Sequence, residues 1–370
     1  MLIWIDASVL NADFAKDLKA AQGIADVFGA AVRGEHYVLA DRNTLREMAA
    51  DINLSSATRT VISTIQSQLA TLGSIKTELG ARIRITYGDG NAVKRTSATE
   101  WEIPLHAIAT FGTKKTALIT ENLEDAEAFE HAAKQYQASA GFGGHVVFEK
   151  IPGGGSTTPK VFTHLADSEK RWCLCITDSD RLCPSDNMDT TASKCHSFAK
   201  GCKCIAFHKD LDEREIENIL PFAFVDEVIP PSHRDHWDWY TKQVAKRRPD
   251  VHDYCDLKLG TTRKSICTFT KDSPRHRYWT TVIADLTGAS TVQPATCDDD
   301  SVCQDLGNRC PCTITPGYGE KLLNGVLALL AKMSPHEAHR RIKNDPKQAT
   351  WLAIGRTVFE FGCAPEKIRL

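Results

Sequence analysis

Acidic residues that could bind a divalent cation follow several predicted strands of this sequence. Glu121 comes directly after the apolar segment 116–120, and Asp178 and Asp180 come directly after the apolar segment 171–177. Side chains two residues apart in an extended segment point in the same direction, so both aspartates can reach one ion. Mg²⁺ and Mn²⁺ prefer such oxygen ligands, and Mg²⁺ commonly shares them with phosphate oxygens and water.

Two further carboxylates, Glu215 and Glu217, come after the predicted strand 204–208 and open a predicted helix. Because ligands of open parallel sheets bind beyond the carboxyl ends of the strands, we expect these five acids to converge on one rim. A bound cation would offset their mutual repulsion, activate water and neutralise charge on a phosphodiester. The alternative is that Asp178 to Asp180 form a solvated turn and that the glutamates are a helix's charged first turn, favoured by its dipole.

A glycine run, Gly153 to Gly155, lies between the first acid and the later ones and is followed by Ser156. Glycine lets a backbone approach a ligand closely, and hydroxyl residues after it can cap a helix whose N-terminus faces a phosphate. The run therefore predicts a phosphate-binding loop.

These features in this order resemble the topoisomerase–primase (TOPRIM) domain, which places a Glu after its first strand and an Asp-x-Asp after a later one. Asp125, four residues after Glu121, and the segment 214–220 are similar to the branch found in OLD-family (overcoming lysogenization defect) nucleases. The resemblance covers about residues 113–232. The sequence departs from the family in lacking a glycine after Glu121 and in lacking a fused ATPase motif.

The resemblance implies metal-dependent strand cleavage with two ions. One ion would be held by Glu121, Asp178 and Asp180, and the second by Asp125 with Glu215 or Glu217. The segment 256–260 resembles the site of a late lysine in OLD-type nucleases, so Lys258 is expected to stabilise phosphate charge. The catalytic residues implied in this way are Glu121, Asp178, Asp180 and Lys258.

The chain contains thirteen cysteines. Because we expect a cytoplasmic protein and disulfides are rare in a reducing compartment, buried thiols or metal ligands are the expected roles of these cysteines. Four lie in one polar segment and predict a closed structural Zn²⁺ site, with scattered reduced thiols as the alternative: Cys297, Cys303, Cys310 and Cys312. Three others repeat part of that spacing, namely Cys195, Cys202 and Cys204. Cys183 or His196 could supply a fourth ligand, so a second zinc site there stays an open alternative. It is not predicted, because Cys173, Cys175 and Cys204 lie in predicted core strands and buried thiols behave as small hydrophobes.

An aromatic and basic segment, 233–240, precedes Lys246, Arg247 and Arg248. Such mixtures can stack on bases and track phosphates, so these three cations are candidate nucleic-acid contacts. The alternative is an amphipathic helix that packs its aromatic side chains inward.

Alternating strands and helices predict an α/β protein with a mainly parallel, TOPRIM-like sheet flanked by helices. We predict an N-terminal α/β domain over 1–112, in which Asp6 and Glu47 vaguely resemble PIN-like nucleases, then a catalytic domain over 113–232. A region with the cysteine-rich loop and helices completes the chain over 233–370.

Predicted strands cover 2–5, 36–40, 81–87, 116–120, 145–149, 171–177 and 204–208. Predicted helices cover 14–28, 44–50, 57–72, 124–136, 159–166 and 214–220, with a helical tail over 319–361.

The chain has 370 residues and a formal charge of −2, which neither demands nor excludes a nucleic-acid partner. It has no apolar run of membrane-spanning length, and its first residues lack the basic start of a signal peptide, so we expect a cytoplasmic protein without a membrane partner. The sequence gives no indication of the oligomeric state.

The function expected from these features is Mg²⁺- or Mn²⁺-dependent cleavage of DNA or RNA. The resemblance places such an enzyme in bacterial anti-phage defence, with a separate ATPase or defence-system partner. Two alternatives stay open: nucleotidyl transfer, as in primase-type members of the same superfamily, and a zinc-stabilised binding or adaptor protein whose acids are structural.

Overall fold

The computed structural model describes residues 1–72, 75–88, 90, 92–287 and 312–368. The chain folds into two compact units. The first comprises Met1–Ile176, Lys194–Lys209 and Leu352–Leu370, and the second comprises Thr177–Ser193 and Asp210–Trp351. These units group the chain differently from the three segments predicted from the sequence, whose boundaries stay a prediction.

The described strands are β1 Leu2–Ile5, β2 Tyr37–Ala40, β3 Arg82–Thr86, β4 Lys94–Arg95, β5 Glu100–Pro104, β6 Ala117–Thr120, β7 His145–Val146, β8 Glu149–Pro152, β9 Cys173–Thr177, β10 Ala206–Asp210, β11 Thr261–Thr262, β12 Thr313–Thr315 and β13 Cys363–Ala364.

The described α-helices are α1 Leu18–Val32, α2 Arg42–Ala50, α3 Ser56–Leu72, α4 Ile75–Glu78, α5 Ile108–Phe111, α6 Leu123–Ala140, α7 Thr158–Thr163, α8 Thr190–Gly201, α9 Phe222–Val228, α10 Arg234–Trp239, α11 Val251–Tyr254, α12 Arg263–Cys267, α13 Pro274–Thr287, α14 Leu322–Leu330, α15 Pro335–Arg341 and α16 Gln348–Gly362. No described helix has the length and apolar character needed to cross a bilayer.

The first unit contains a five-stranded sheet in the order β2-β1-β3-β5-β4. Its four longer strands pair in parallel, and only β4 runs antiparallel to its neighbour β5. Leu2, Ile3 and Ile5 of β1 are buried, as expected for a central parallel strand covered on both faces. This continuous apolar character is why the strand could be predicted from the sequence.

A second sheet has the order β10-β9-β6-β8. β6 pairs in parallel with both β8 and β9. Bonds from Cys173 N to Ile205 O and from Leu211 N to Thr177 O, each 2.9 to 3.1 Å long, progress in one direction and make the β9–β10 pair parallel too. The predicted α/β class with a mainly parallel sheet is therefore confirmed.

The predicted strand 145–149 is wrong, because its two halves pair with different partners. β7 runs antiparallel to β13, whereas β8 joins β6 in the parallel sheet. The amide of Val147 donates to Gly362 O at 2.8 Å, and the Phe148 ring lies over Gly362, where a Cβ would be only 2.1 Å from the ring. A partner more than two hundred residues away in sequence thus decides where β8 begins.

The predicted helix over 214–220 is also wrong. A single 3₁₀ turn, Ile216–Ile219, is followed by extended Leu220, and α9 begins only at Phe222. Pro221 disfavours helical backbone at Leu220. Glu215 and Glu217 therefore lie on a tight turn rather than on the first turn of a helix.

The aromatic packing expected from the amphipathic alternative is observed in the second unit. Trp237 and Tyr240 are buried, while Lys246 and Arg247 are exposed. The Arg248 guanidinium bonds Asp250 at 2.9 Å and Asp285 at 2.5 Å, so its charge is already compensated by the protein. A nucleic-acid contact by these three cations stays a prediction.

A buried histidine makes the stability of the first unit depend on pH. His36 is completely buried and lies 4.5 Å from the Trp172 ring, and its Nε2 is bonded to Lys114 O at 2.9 Å. Burial above all, with the N-terminal charge nearby, holds the pKa of His36 well below its usual value. The unfolded chain therefore binds a proton that the folded chain does not bind.

Stability should accordingly fall as the pH drops below about 6.5, by up to about 1.4 kcal/mol per pH unit from this group. We expect His36→Gln, whose amide can still donate to Lys114 O, to flatten the loss of thermal stability between pH 7.5 and 5.5. The exposed His336→Gln is the control and should keep the wild-type slope. An unchanged slope in folded His36→Gln would contradict the prediction.

Candidate functional site

The segment that comes after β9 is held by backbone hydrogen bonds within the second unit. The amides of Ser179 and Asp180 both donate to Arg214 O, at 3.1 and 2.9 Å, and Ser179 Oγ donates to Glu213 O at 2.5 Å. Asp180 has a left-handed backbone with φ of 51°. Such a conformation is uncommon outside glycine and persists where surrounding contacts enforce it, often at functional sites.

The Asp178 carboxylate contacts the turn that carries the two glutamates. Its Oδ1 accepts a hydrogen bond from the Ile216 amide at 3.1 Å. The loop 178–180 and the turn 215–217 are thus joined by side-chain and backbone bonds. These two segments carry four of the predicted acids, namely Asp178, Asp180, Glu215 and Glu217.

Lys258 provides the positive charge at this place. Its Nζ lies 3.0 Å from Glu215 Oε2 and 3.3 Å from Glu217 Oε2. We call Asp178, Asp180, Glu215, Glu217 and Lys258 the Lys258 cluster.

The loop that carries Lys258 is fixed by Asp256. The Oδ1 of Asp256 accepts the amides of Lys258 and Leu259, at 2.9 and 2.7 Å, and its Oδ2 accepts from the Arg214 guanidinium at 3.0 Å. Arg214 also lies 3.0 Å from Glu215 Oε1. Asp256 and Arg214 were not among the predicted site residues, although an Asp two residues before Lys258 is a sequence signal for this kind of turn.

Burial and charge shift three pKa values within the cluster. Burial, with Glu215 adding to it, raises the pKa of Glu217 to about 7, and Glu217 is only 3% exposed. Burial alone would lower the pKa of Lys258, but Glu217 and Glu215 outweigh that effect and raise it. Partial desolvation, then Glu215 and Asp189, raises the pKa of Asp180, even though much of its surface is open to solvent.

The hydrogen bonds of Glu217 and Asp189 determine which of their carboxylate oxygens are already engaged within the protein. Glu217 Oε2 is close enough to Lys258 for an ion pair, but the two are not aligned as a hydrogen bond among the described residues. Asp189 accepts the amides of Thr191 and Ala192 at 3.0 and 2.7 Å, so it caps α8. Glu217 therefore keeps an oxygen that is bound only electrostatically, whereas Asp189 serves the helix.

The other predicted acids belong to the first unit. Glu121 comes directly after β6, and its carbonyl accepts the Gly154 amide at 2.9 Å. Asp125 is buried, and its Oδ2 accepts the Asn122 amide at 2.9 Å, which caps α6. The predicted roles of Glu121 and Asp125 as metal ligands stay predictions.

The glycine run lies close to Glu121 in the structure. A Cβ on Gly155 would be 3.8 Å from Glu121 Oε2, and a Cβ on Gly153 would meet the Thr158 hydroxyl at 2.3 Å. The hydroxyl of Thr157 donates back to the carbonyls of Gly153 and Gly154 instead of capping α7, and Ser156 is exposed. Glycine at 153 is therefore required by packing, and phosphate binding by the run stays a prediction.

The predicted acids do not form a compact three-ligand group among the described residues. In the Lys258 cluster, the Lys258 ammonium group pairs with Glu215 and Glu217 and so reduces the repulsion between their carboxylates. Within the first unit, by contrast, Cys175, Cys195 and His208 bring one ligand atom each within 4.8 Å of the others. This grouping was missed from the sequence, where the three residues are widely separated.

Most of the predicted zinc loop lies outside the described residues, since Cys297, Cys303 and Cys310 belong to the segment 288–311. Cys312 is described and buried. Of the three cysteines with related spacing, Cys195 lies beside Cys175, while the Cys202 thiol contacts the carbonyls of Ala199 and Cys204.

Comparisons with protein-family models, with curated proteins and with solved structures find no match to this chain. A functional assignment therefore depends on the residues themselves and on the sequence resemblance.

Asp180 offers a test of how much charge repulsion the Lys258 cluster stores. We expect Asp180→Asn to stabilise the metal-free protein by on the order of 0.5 kcal/mol, a small value because solvent screens this side chain. Asn tolerates the left-handed backbone as well as Asp does, so the substitution removes charge without adding strain. Thermal unfolding in EDTA measures the change.

Asp272→Asn is the matched control, because Asp272 is exposed and also has a positive φ, 61°. It should leave the midpoint of unfolding unchanged. Equal shifts for the two variants would show that repulsion within the Lys258 cluster is not the cause.

Proposed function

We propose that this protein is a Mg²⁺- or Mn²⁺-dependent nuclease with a TOPRIM-like core, which cleaves phosphodiesters of DNA or RNA. The observation that carries the proposal is the Lys258 cluster, in which four carboxylates and one ammonium group are held on hydrogen-bonded segments. Hard oxygen donors of this kind suit Mg²⁺ and Mn²⁺.

The donor set suits a hard cation in its oxygen chemistry, although the carboxylates of the Lys258 cluster are engaged with Ile216, Arg214 and Lys258 in the free protein. Asp178, Asp180 and Glu215 are the residues that would hold it in the second unit. The ion would supply charge neutralisation and an activated water at the phosphodiester. Glu121 as a further ligand is carried over from the resemblance, and its own variant tests it.

Lys258 has the chemistry to bind the substrate. An ammonium group with a raised pKa stays protonated at neutral pH, so it can donate to a non-bridging phosphate oxygen. Asp256 and Arg214 act as positioning residues, because they fix the loop of Lys258 and the side chain of Glu215. In the free protein, the carboxylates of Glu215 and Glu217 hold the ammonium group in place.

Glu217 is suited to electrostatic support rather than to contact with substrate. It is almost completely buried, and its pKa lies near neutrality, so it adds negative charge close to Lys258 without occupying exposed surface. A role in defence and a separate ATPase partner belong to the same proposal through the resemblance alone, and a cytoplasmic setting belongs to it through the sequence pattern.

Removing the Lys258 ammonium group should leave the repulsion between the Glu215 and Glu217 carboxylates uncompensated. We expect Lys258→Ala to lower the free energy of unfolding in EDTA by about 1–3 kcal/mol, because Glu217 is left buried without a counter-charge. Millimolar Mn²⁺ should recover part of that loss. Lys242→Ala, which breaks an exposed pair with Asp238, is the control and should leave the free energy of unfolding nearly unchanged.

Nuclease activity is tested with labelled single- and double-stranded DNA and RNA, in Mg²⁺, Mn²⁺ or EDTA. We expect cleavage only with a divalent cation and a loss on the order of 100-fold in Asp178→Asn, whose amide oxygen can still accept from Ile216 N. The exposed Asp235→Asn is the control. Glu121→Gln should cause a similar loss if the predicted ligand set is correct.

The outcomes separate the alternatives. Intact substrates in every cation, for a folded protein that binds Mn²⁺ in calorimetry, would contradict the nuclease proposal. Incorporation of nucleotides from added triphosphates would instead favour nucleotidyl transfer. Full biological activity of Asp178→Asn would favour an adaptor role.

A further inference from the structure

Three residues with metal-binding side chains meet inside the first unit. Cys175 lies on β9, Cys195 on α8 and His208 on β10, and one ligand atom from each lies within 4.8 Å of the others. All three side chains are buried, the two cysteines completely and His208 with 7% exposure. Residues from three separate elements thus converge on one point beside the sheet.

The sulfur positions suit a tetrahedral ion. The two Sγ atoms are 3.9 Å apart. Two Zn–S bonds of about 2.3 Å at a tetrahedral angle place the sulfurs roughly 3.8 Å apart. A disulfide would need about 2.05 Å. The observed separation is therefore close to that of two thiolates on one ion and too long for a disulfide.

A cavity gives access from the side of His208. It has a volume of about 690 Å³, and its lining includes Arg95, Lys200, His196 and His208. The ring centroids of His196 and His208 are 6.1 Å apart, and one nitrogen of each lies within 4.8 Å of the other. His196 is exposed, so it can turn toward an ion that His208 holds.

The alternative is that these cysteines are ordinary core residues. Both pack in a cluster with Ile119, Phe162 and other apolar side chains. Cys173 also belongs to that cluster, two residues before Cys175 on the same strand, and it is not among the three converging ligands. Cys173 therefore separates the general effect of a buried thiol from metal binding.

We propose that the first unit binds one Zn²⁺ through the Sγ atoms of Cys175 and Cys195 and the imidazole of His208. The fourth position is taken by His196 or by water from the cavity. Two Zn–S bonds and one Zn–N bond form, and the two thiol protons leave to solvent. The ion joins β9, α8 and β10, so its role is to hold these three elements together.

This site is distinct from the zinc loop predicted over 297–312, so total zinc alone does not decide the matter. The test uses the full chain, purified without chelator, for metal analysis. A second sample is stripped of metal and titrated with Co²⁺. We expect His208→Asn and Cys195→Ala each to lose one zinc ion per chain and to weaken the thiolate-to-cobalt absorption. Cys173→Ala should retain the wild-type metal content and spectrum.

Circular dichroism first establishes that each variant is folded. His208→Asn keeps both thiols, so it reports on the site even if Cys195→Ala does not fold. A Cys310→Ala variant removes the contribution of the other predicted site and should leave the cobalt band of Cys175 and Cys195 in place. Unchanged zinc content and an unchanged cobalt spectrum in folded His208→Asn would overturn the proposal.

Discussion

The ion pairs between Lys258 and the glutamates of the turn 215–217 are the interaction on which the candidate site depends. Breaking a buried ion pair by removing one partner costs about 3–5 kcal/mol, because the remaining charge has neither water nor a counter-charge. Glu217, at 3% exposure, approaches that limit, whereas Glu215 and Lys258 are only partly buried. Within the Lys258 cluster, desolvation of the Glu217 carboxylate is thus the largest unfavourable contribution to the free energy of folding, and the ion pair with Lys258 offsets it.

The turn that pairs with Lys258 is also bonded to the loop after β9. The carbonyls of Glu213 and Arg214 accept from the loop, while the Ile216 amide donates to Asp178. Because bonds run both ways between the two segments, neither can shift alone. The left-handed backbone of Asp180 is one result, and local strain enforced by surrounding contacts is a common cost of a functional site.

The sequence was most informative where local signals alone determine the structure. β6 and β9 were predicted because parallel strands buried on both faces are continuously apolar. The predicted helix over 57–72 is observed as α3, and Ser55 Oγ accepts the Thr58 amide at 3.1 Å at its start. The acids at the ends of these strands could be found for the same reason.

The sequence-based predictions of secondary structure and of ligand groups failed where contacts with residues distant in sequence determine the local structure. The position of β8 depends on Gly362. The turn at 215–217 is favoured locally by Pro221, but it is also held by bonds from Asn218 to the carbonyls of His252 and Cys255. These partners are far away in sequence, so periodicity carries no signal for them. The grouping of Cys175, Cys195 and His208 was missed for that reason too, since the three residues lie on different elements and only the fold brings them together.

The two proposed metal sites differ in donor chemistry, and this difference bears on how they can coexist. Zn²⁺ binds most sites more tightly than Mn²⁺ or Mg²⁺, so selectivity has to come from the type of donor and from the local charge. Two thiols and an imidazole favour Zn²⁺, whereas the Lys258 cluster offers only carboxylate oxygens. Arg214 and Lys258 cancel part of the negative charge there. A dication alone is therefore attracted only moderately, and the charge of a phosphodiester would complete its coordination. If the proposed nuclease function holds, occupancy by a hard cation would be coupled to the presence of substrate, as is expected of a catalytic ion rather than of a structural one.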